Sequence, residues 1–295
     1  MSQVIELIKV LRERTGAGLM DCKHALVACD MDVEKSIDWL REKGIAKQAK
    51  KAGRIAAEGL AIVKYLDNKV VVLEINCETD FVAKSDPFIK LIDDVADVCL
   101  NKGPKDVEEL KTLKTEAGET IDELFVNTGI KVGEKLSLRR FQIIEKGEGE
   151  MFGSYSHNGG AIVSVVLLKT AGEDFAEQLA MSVAANAPIY LNKEEIPAEE
   201  VEKETTLQLE TAKEDESFAK KPEAIQKKII EGRVRKHFVS SVLLEQEFVV
   251  NPDITVAQAC KDNKTEIVSF VRYQVGEGIE KRKEDFAAEV AKEMK

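Results

Sequence analysis

No run of about 18 apolar residues occurs in the 295-residue chain, and the opening Met1-Ser2-Gln3-Val4 puts no basic leader ahead of an apolar stretch. A membrane span and a secretory signal are therefore not expected, and the chain reads as cytoplasmic. Its five cysteines, Cys22, Cys29, Cys77, Cys99 and Cys260, form no Cys-x-x-Cys pair, which argues against a disulfide framework or a thiolate zinc site. Three histidines, His24, His157 and His237, lie far apart and offer little for a catalytic triad or an imidazole metal site. Neither Gly-x-x-x-x-Gly-Lys-Ser/Thr nor a strand-linked Gly-x-Gly-x-x-Gly is present. Gly16-Ala17-Gly18 follows a helical pattern and Gly276-Glu277-Gly278 lacks the third glycine, so both read as turns. These absences predict a protein that is not an enzyme and carries no cofactor or metal. The one residual nucleophile set is Cys77 with Glu78, Asp80 and a distant histidine.

What is present is ample apolar material, 44% of residues, with 33% charged and 5% aromatic, enough for two or three domains. The net charge of -11 repels polyphosphate, so the expected partner is a protein rather than nucleic acid. Charge is distributed unevenly. Residues 1–54 hold 11 Lys/Arg against 8 Asp/Glu, whereas residues 192–216 hold 3 against 10, as separate modules would.

Periodicity predicts an α+β fold. Residues 1–54 read as a three-helix module: Val4, Leu7, Ile8 and Leu11 share one face, Cys22 and Leu26 follow, and a third helix runs from the cap Asp32 to Gly44. Lys47, Lys50, Lys51 and Arg54 then form a basic connector. Residues 55–145 begin a core half in which Ala61–Leu66 and Lys69–Ile75 flank the turn Asp67-Asn68 and precede a helix over Pro87–Cys99. The order recurs over Gly153–His157, Ala161–Lys169 and Glu173–Ala187, which predicts a duplicated antiparallel sheet with helices, its second half spanning 146–197 and 238–275. Residues 198–237 read as a helical hairpin broken at Lys221-Pro222, with a thin seam of Val201, Leu207, Leu209, Ile225 and Ile229. It suits self-association, a partner or a spacer equally. Thr255 caps a short helix, Ile267–Val275 alternates as a strand, and residues 276–295 form a C-terminal module with a helix over Glu280–Met294.

Only the first copy inserts Glu78-Thr79-Asp80-Phe81-Val82-Ala83-Lys84-Ser85-Asp86 between strand and helix. Phe81 there either tucks beneath its own loop, the arrangement the residues alone favour, or enters a pocket on a partner.

Three segments, Thr15 to Lys23, Asn76 to Lys84 and Tyr273 to Lys281, closely resemble bacterial elongation factor Ts, in order and across almost the whole chain. That resemblance implies a guanine-nucleotide exchange factor for GDP-bound elongation factor Tu, with a ubiquitin-associated-like N-terminal module, a two-part core, a coiled-coil hairpin and a C-terminal module. It further implies that Thr79, Asp80, Phe81 and Val82 enter beside the partner's Mg²⁺ site and displace the ion. Docking residues implied in the same way are Arg12, Leu19, Met20, His157, Gly276 and Gly278.

Overall fold

A computed structural model of the chain describes residues 2–213, 216–219 and 221–280, and these fall into two compact units. One lies within Met1–Glu145, Asn158–Ala161 and from Tyr273 onward; the other comprises Lys146–His157 and Ile162–Arg272. The helix expected over Glu280–Met294 falls almost wholly outside the described residues.

In the first unit, helices α1 (Ser2–Thr15), α2 (Leu19–Ala28) and α3 (Val33–Lys51) close on Leu11, Cys22, Ala25, Leu26 and Leu40, because these apolar side chains recur at helical spacing. Asp32 caps α3 through Oδ1, which accepts from Lys35 N at 3.1 Å. The expected stop at Gly44 does not occur. The helix continues to Lys51, and Gly44 faces Ile130, whose Cδ1 would lie 2.1 Å from an added Cβ. Glycine serves here for close helix packing and not as a left-handed cap.

Strands β1 (Glu58–Leu66) and β2 (Lys69–Cys77) form the predicted hairpin, with Leu66 opposite Lys69 across Asp67-Asn68 and a positive φ of 51° at Asp67. A one-turn helix α4 (Asp80–Ala83) and the long α5 (Asp86–Lys102) follow, then α6 (Val107–Thr112) and α7 (Ile121–Val132). Strand β3 (Ser137–Glu145) completes an antiparallel sheet in the order β1-β2-β3. Val71, Leu73 and Ile75 pack on Phe88, Leu91, Ile92 and Val95 of α5, and this apolar face is the main core of the unit.

The second unit repeats the order with β4 (Glu150–His157), β5 (Ile162–Lys169) and α8 (Glu173–Asn186). Helices α9 (Ala198–Lys213), α10 (Glu216–Ala219) and α11 (Glu223–Phe238), the two-stranded β6 (Glu247–Phe248) and β7 (Asn251–Thr255), and helix α12 (Val256–Asp262) lead to β8 (Ile267–Gln274), which pairs with β5. In both units the third strand therefore lies beside the second strand of the hairpin. Helices α9 and α11 pack through Ala212, Phe218, Ile230, Val234 and Phe238, with Val201 and Ile229 half-buried. Leu207, Leu209 and Ile225 of the expected seam are exposed instead. Phe218 of the short α10 and Phe238 at the helix end supply the bulky contacts that a uniform helical period does not register.

Candidate functional site

Strand β2 ends at Cys77, and the chain turns at once into α4. Thr79 is the N-cap: its Oγ1 accepts from Val82 N at 3.3 Å, and its φ and ψ of -129° and 154° are extended, as a cap requires. Val82 and Ala83 face inward and join the core below, which leaves the intervening Phe81 pointing away. Its ring is 82% exposed, more than any other large apolar side chain among the described residues. The tucked arrangement is thus not the one adopted. Asp80 beside it accepts from Lys84 Nζ at 2.7 Å one turn on, and this hydrogen bond and charge hold its carboxyl below the ordinary range. An exposed benzyl group flanked by an ionised carboxylate is a surface suited to entering a partner's pocket.

The turn is clamped from a distant segment. Glu134 Oε2 accepts from Glu78 N and Thr79 N, both at 3.0 Å, and Oε1 accepts from Thr79 Oγ1 at 2.6 Å. In return Glu78 Oε1 accepts from Lys135 N at 2.7 Å, while Arg54 approaches Glu78 Oε2 at 3.1 Å. Lys135 Nζ donates to the carbonyls of Ala52 and Arg54 just beyond α3. Sequence reading missed Glu134 because nothing in Gly133-Glu134-Lys135 beyond a helix-ending glycine marks a residue that acts 55 positions away.

The residual nucleophile reading fails on environment. Cys77 is fully buried, donates to Thr79 O at 3.1 Å, and its thiol is pushed up to about 12, first by burial and then by the negative charge of Glu134. From an ordinary thiol value of about 9 this cuts the thiolate fraction about a thousandfold at neutral pH. Iodoacetamide at pH 8 is expected to label half-buried Cys29 while Cys77 stays unmodified in peptide mass spectra; labelling of Cys77 in the folded chain at a comparable rate would contradict this.

Of the residues assigned to docking, Leu19 and Met20 open α2 and are 56% and 54% exposed, with Arg12 exposed near the end of α1. They lie in the first unit, as does the Phe81 turn. His157 lies in the second, exposed at the end of β4, with its Nδ1 at 3.4 Å from the Tyr155 hydroxyl and the two rings stacked. Gly278 is exposed, but Gly276 is buried: its N–H donates to Glu74 Oε1 at 2.9 Å, φ is +71°, and an added Cβ would lie 2.2 Å from Ala57 O. Gly276 is built into the unit and presents no docking surface. Glu74 itself, a carboxylate between the apolar run Val70-Val71-Val72-Leu73 and Ile75, was a visible anomaly that sequence reading passed over.

Among the described residues no group of three or more His, Cys, Asp or Glu side chains is placed to hold a metal ion, and no helix is long and apolar enough to cross a membrane.

A family model described as Elongation factor TS matches residues 78–277, and so takes in the clamped turn, β3, the sheet of the second unit and Gly276. Elongation factor Ts of Lacticaseibacillus casei is 46% identical over 288 residues, covering 98% of this chain and 97% of the relative, and that of Lacticaseibacillus paracasei matches to the same extent. The chain belongs to the elongation factor Ts family. As a member of the elongation factor Ts family it is a factor of translation elongation, and the near-complete coverage extends the likeness to the N-terminal helices that the family model leaves unmatched.

Proposed function

We propose that this chain is the guanine-nucleotide exchange factor of elongation factor Tu, acting on the GDP-bound form by inserting Phe81 and Asp80 beside the bound Mg²⁺. The observation that carries the reading is the outward Phe81 ring on a turn whose next two residues are anchored in the core. Mg²⁺ demands near-octahedral geometry, so a small displacement of the groups supporting it weakens the metal and with it the diphosphate. Burying one Phe contributes roughly 1.5 to 3 kcal/mol, of the order of a typical coupling free energy of about 1 to 3 kcal/mol between two ligands. Because coupling is reciprocal, rebinding of nucleotide expels the factor, and it turns over without making or breaking a covalent bond.

In this reading the α1–α3 module, ubiquitin-associated-like in form, docks through Arg12, Leu19 and Met20, and the exposed His157 and Gly278 add contacts. The inserted segment is Thr79 to Val82, with Thr79 capping the turn and Val82 anchoring it in the core while Asp80 and Phe81 project furthest. The α9–α11 hairpin is a coiled-coil arm whose exposed Leu207, Leu209 and Ile225 suit pairing with a second copy. Stopped-flow release of fluorescent GDP from elongation factor Tu tests the assignment: the purified chain is expected to speed release at substoichiometric amounts, and release at the intrinsic rate would refute it.

A further inference from the structure

We propose that Glu134 is the positioning residue of the Phe81 turn, a role that rests on the exchange reading above and adds to it the group that sets the angle at which the ring is offered. The chain faces a local problem at Glu78 and Thr79. Past the last ladder position of β2 at Cys77 and ahead of the first turn of α4, neither amide has a helical or strand partner, and an unpaired amide invites the segment to rearrange. One carboxylate answers for both, with Glu134 Oε2 at 3.0 Å from each nitrogen.

The third contact turns support into orientation. Thr79 Oγ1 must accept from Val82 N to cap α4, and its own proton must go elsewhere; Glu134 Oε1 receives it at 2.6 Å. The Thr79 rotamer, the cap and the first turn of α4 are thereby fixed together, and Phe81 is the second residue of that turn. The grip is mutual, because Lys135 N donates to Glu78 Oε1 at 2.7 Å, so the two segments cannot slide past one another without losing contacts on both sides. Lys135 Nζ, on the Ala52 and Arg54 carbonyls, ties the same dipeptide to the end of the helix that carries the N-terminal module. A free exposed Phe would sample many directions; a clamped one is presented in a single direction, and that saving of orientational freedom is what positioning supplies.

The test is a double-mutant cycle read in GDP release from elongation factor Tu at saturating factor. Glu134→Ala is expected to slow release by about tenfold, through a lowered maximal rate more than a raised half-saturating concentration. In a Phe81→Ala background the same change is expected to cost less than about twofold, since a clamp with no ring to aim has nothing left to lose. Glu134→Gln, which keeps one acceptor oxygen and the side-chain volume, is expected to fall between, and it stands in for the alanine variant should that fail to fold. Equal slowing in both backgrounds overturns the proposal by showing that Glu134 acts independently of the ring. Unchanged release for Glu134→Ala beside slowed release for Phe81→Ala also overturns it, while leaving the exchange reading intact. If Phe81→Ala itself has no effect, the insertion reading fails first and the proposal falls with it. Amide hydrogen exchange gives a readout free of the partner: Thr79 is expected to lose protection in both Glu134 variants, and retained protection counts against the clamp.

Discussion

Phe81→Ala is expected to slow GDP release from elongation factor Tu by at least about tenfold while leaving the thermal unfolding of the free factor almost unchanged. The two halves of that expectation come from one fact, the 82% exposure of the ring. An exposed side chain makes few contacts in the free protein, so its removal opens no cavity, and the stability change stays within about 0.5 kcal/mol. The same ring, buried in a partner, contributes roughly 1.5 to 3 kcal/mol, and each 1.4 kcal/mol is about a tenfold change. Val82→Ala supplies the contrast. Val82 is buried against the α5 core, so its truncation is expected to lower the stability of the free factor by about 1 kcal/mol, with a smaller direct effect on release. A ring that acted through the fold instead of through a partner would show the reverse pattern in the two variants, with Phe81→Ala destabilising and release unaffected.

The position of Phe81 was legible in the sequence, but its direction was not. Alternation on either side of Asp67-Asn68 announced the hairpin, and the inserted segment after Cys77 followed from comparing the two hairpin-helix copies. Whether a Phe at that exit tucks or projects depends on which of its neighbours reach the core. Val82 and Ala83 do so, because Thr79 caps a helical turn whose register is fixed by Glu134, a residue beyond any local period. Gly44 failed for a related reason. A glycine after an amphipathic stretch looks like a helix end, and only the proximity of Ile130 on α7 explains a glycine inside a helix that continues. Neither α7 nor β3 was predicted, although Thr120 and Glu123 form a complete capping box at the start of α7. The hairpin seam was right at Val201 and Ile229 but misplaced elsewhere, because Leu207 and Leu209 satisfied the apolar count while smaller Ala212 and Phe218 of the short α10 made the contact. Local signals thus found most elements, and long-range partners decided which faces were used.

Glu74→Ala is expected to destabilise the first unit by about 3 kcal/mol, seen as an earlier urea midpoint and as faster proteolytic cleavage around Gln274. Glu74 is fully buried and accepts on both oxygens: Oε1 takes Arg139 Nη1 and Gly276 N, each at 2.9 Å, and Oε2 takes Arg140 Nε at 2.6 Å. Removing it takes the buried carboxylate from two guanidinium groups that β3 carries, leaving them their contacts to Gln274 and Glu277, and leaves the Gly276 amide without its acceptor. Arg139 and Arg140 remain 23% and 30% exposed, so water recovers part of the loss and the estimate sits at the low end of the usual range of about 3 to 5 kcal/mol for a broken buried pair. Both arginines also hold the end of β8 and the segment that follows it. Arg140 donates to Gln274 O at 3.1 Å and lies 4.2 Å from the Tyr273 ring centroid, and Arg139 donates to Glu277 O. The carboxylate therefore organises the segment as well as the sheet. Gly276→Ala attacks the same joint from the other side, because its new Cβ would meet Ala57 O at 2.2 Å with φ already at +71°. If Glu74 works by seating this segment, the two variants combined are expected to cost clearly less than the sum of each alone. Strict additivity would mean that Glu74 stabilises the sheet only, and that the Gly276 turn is seated independently of it.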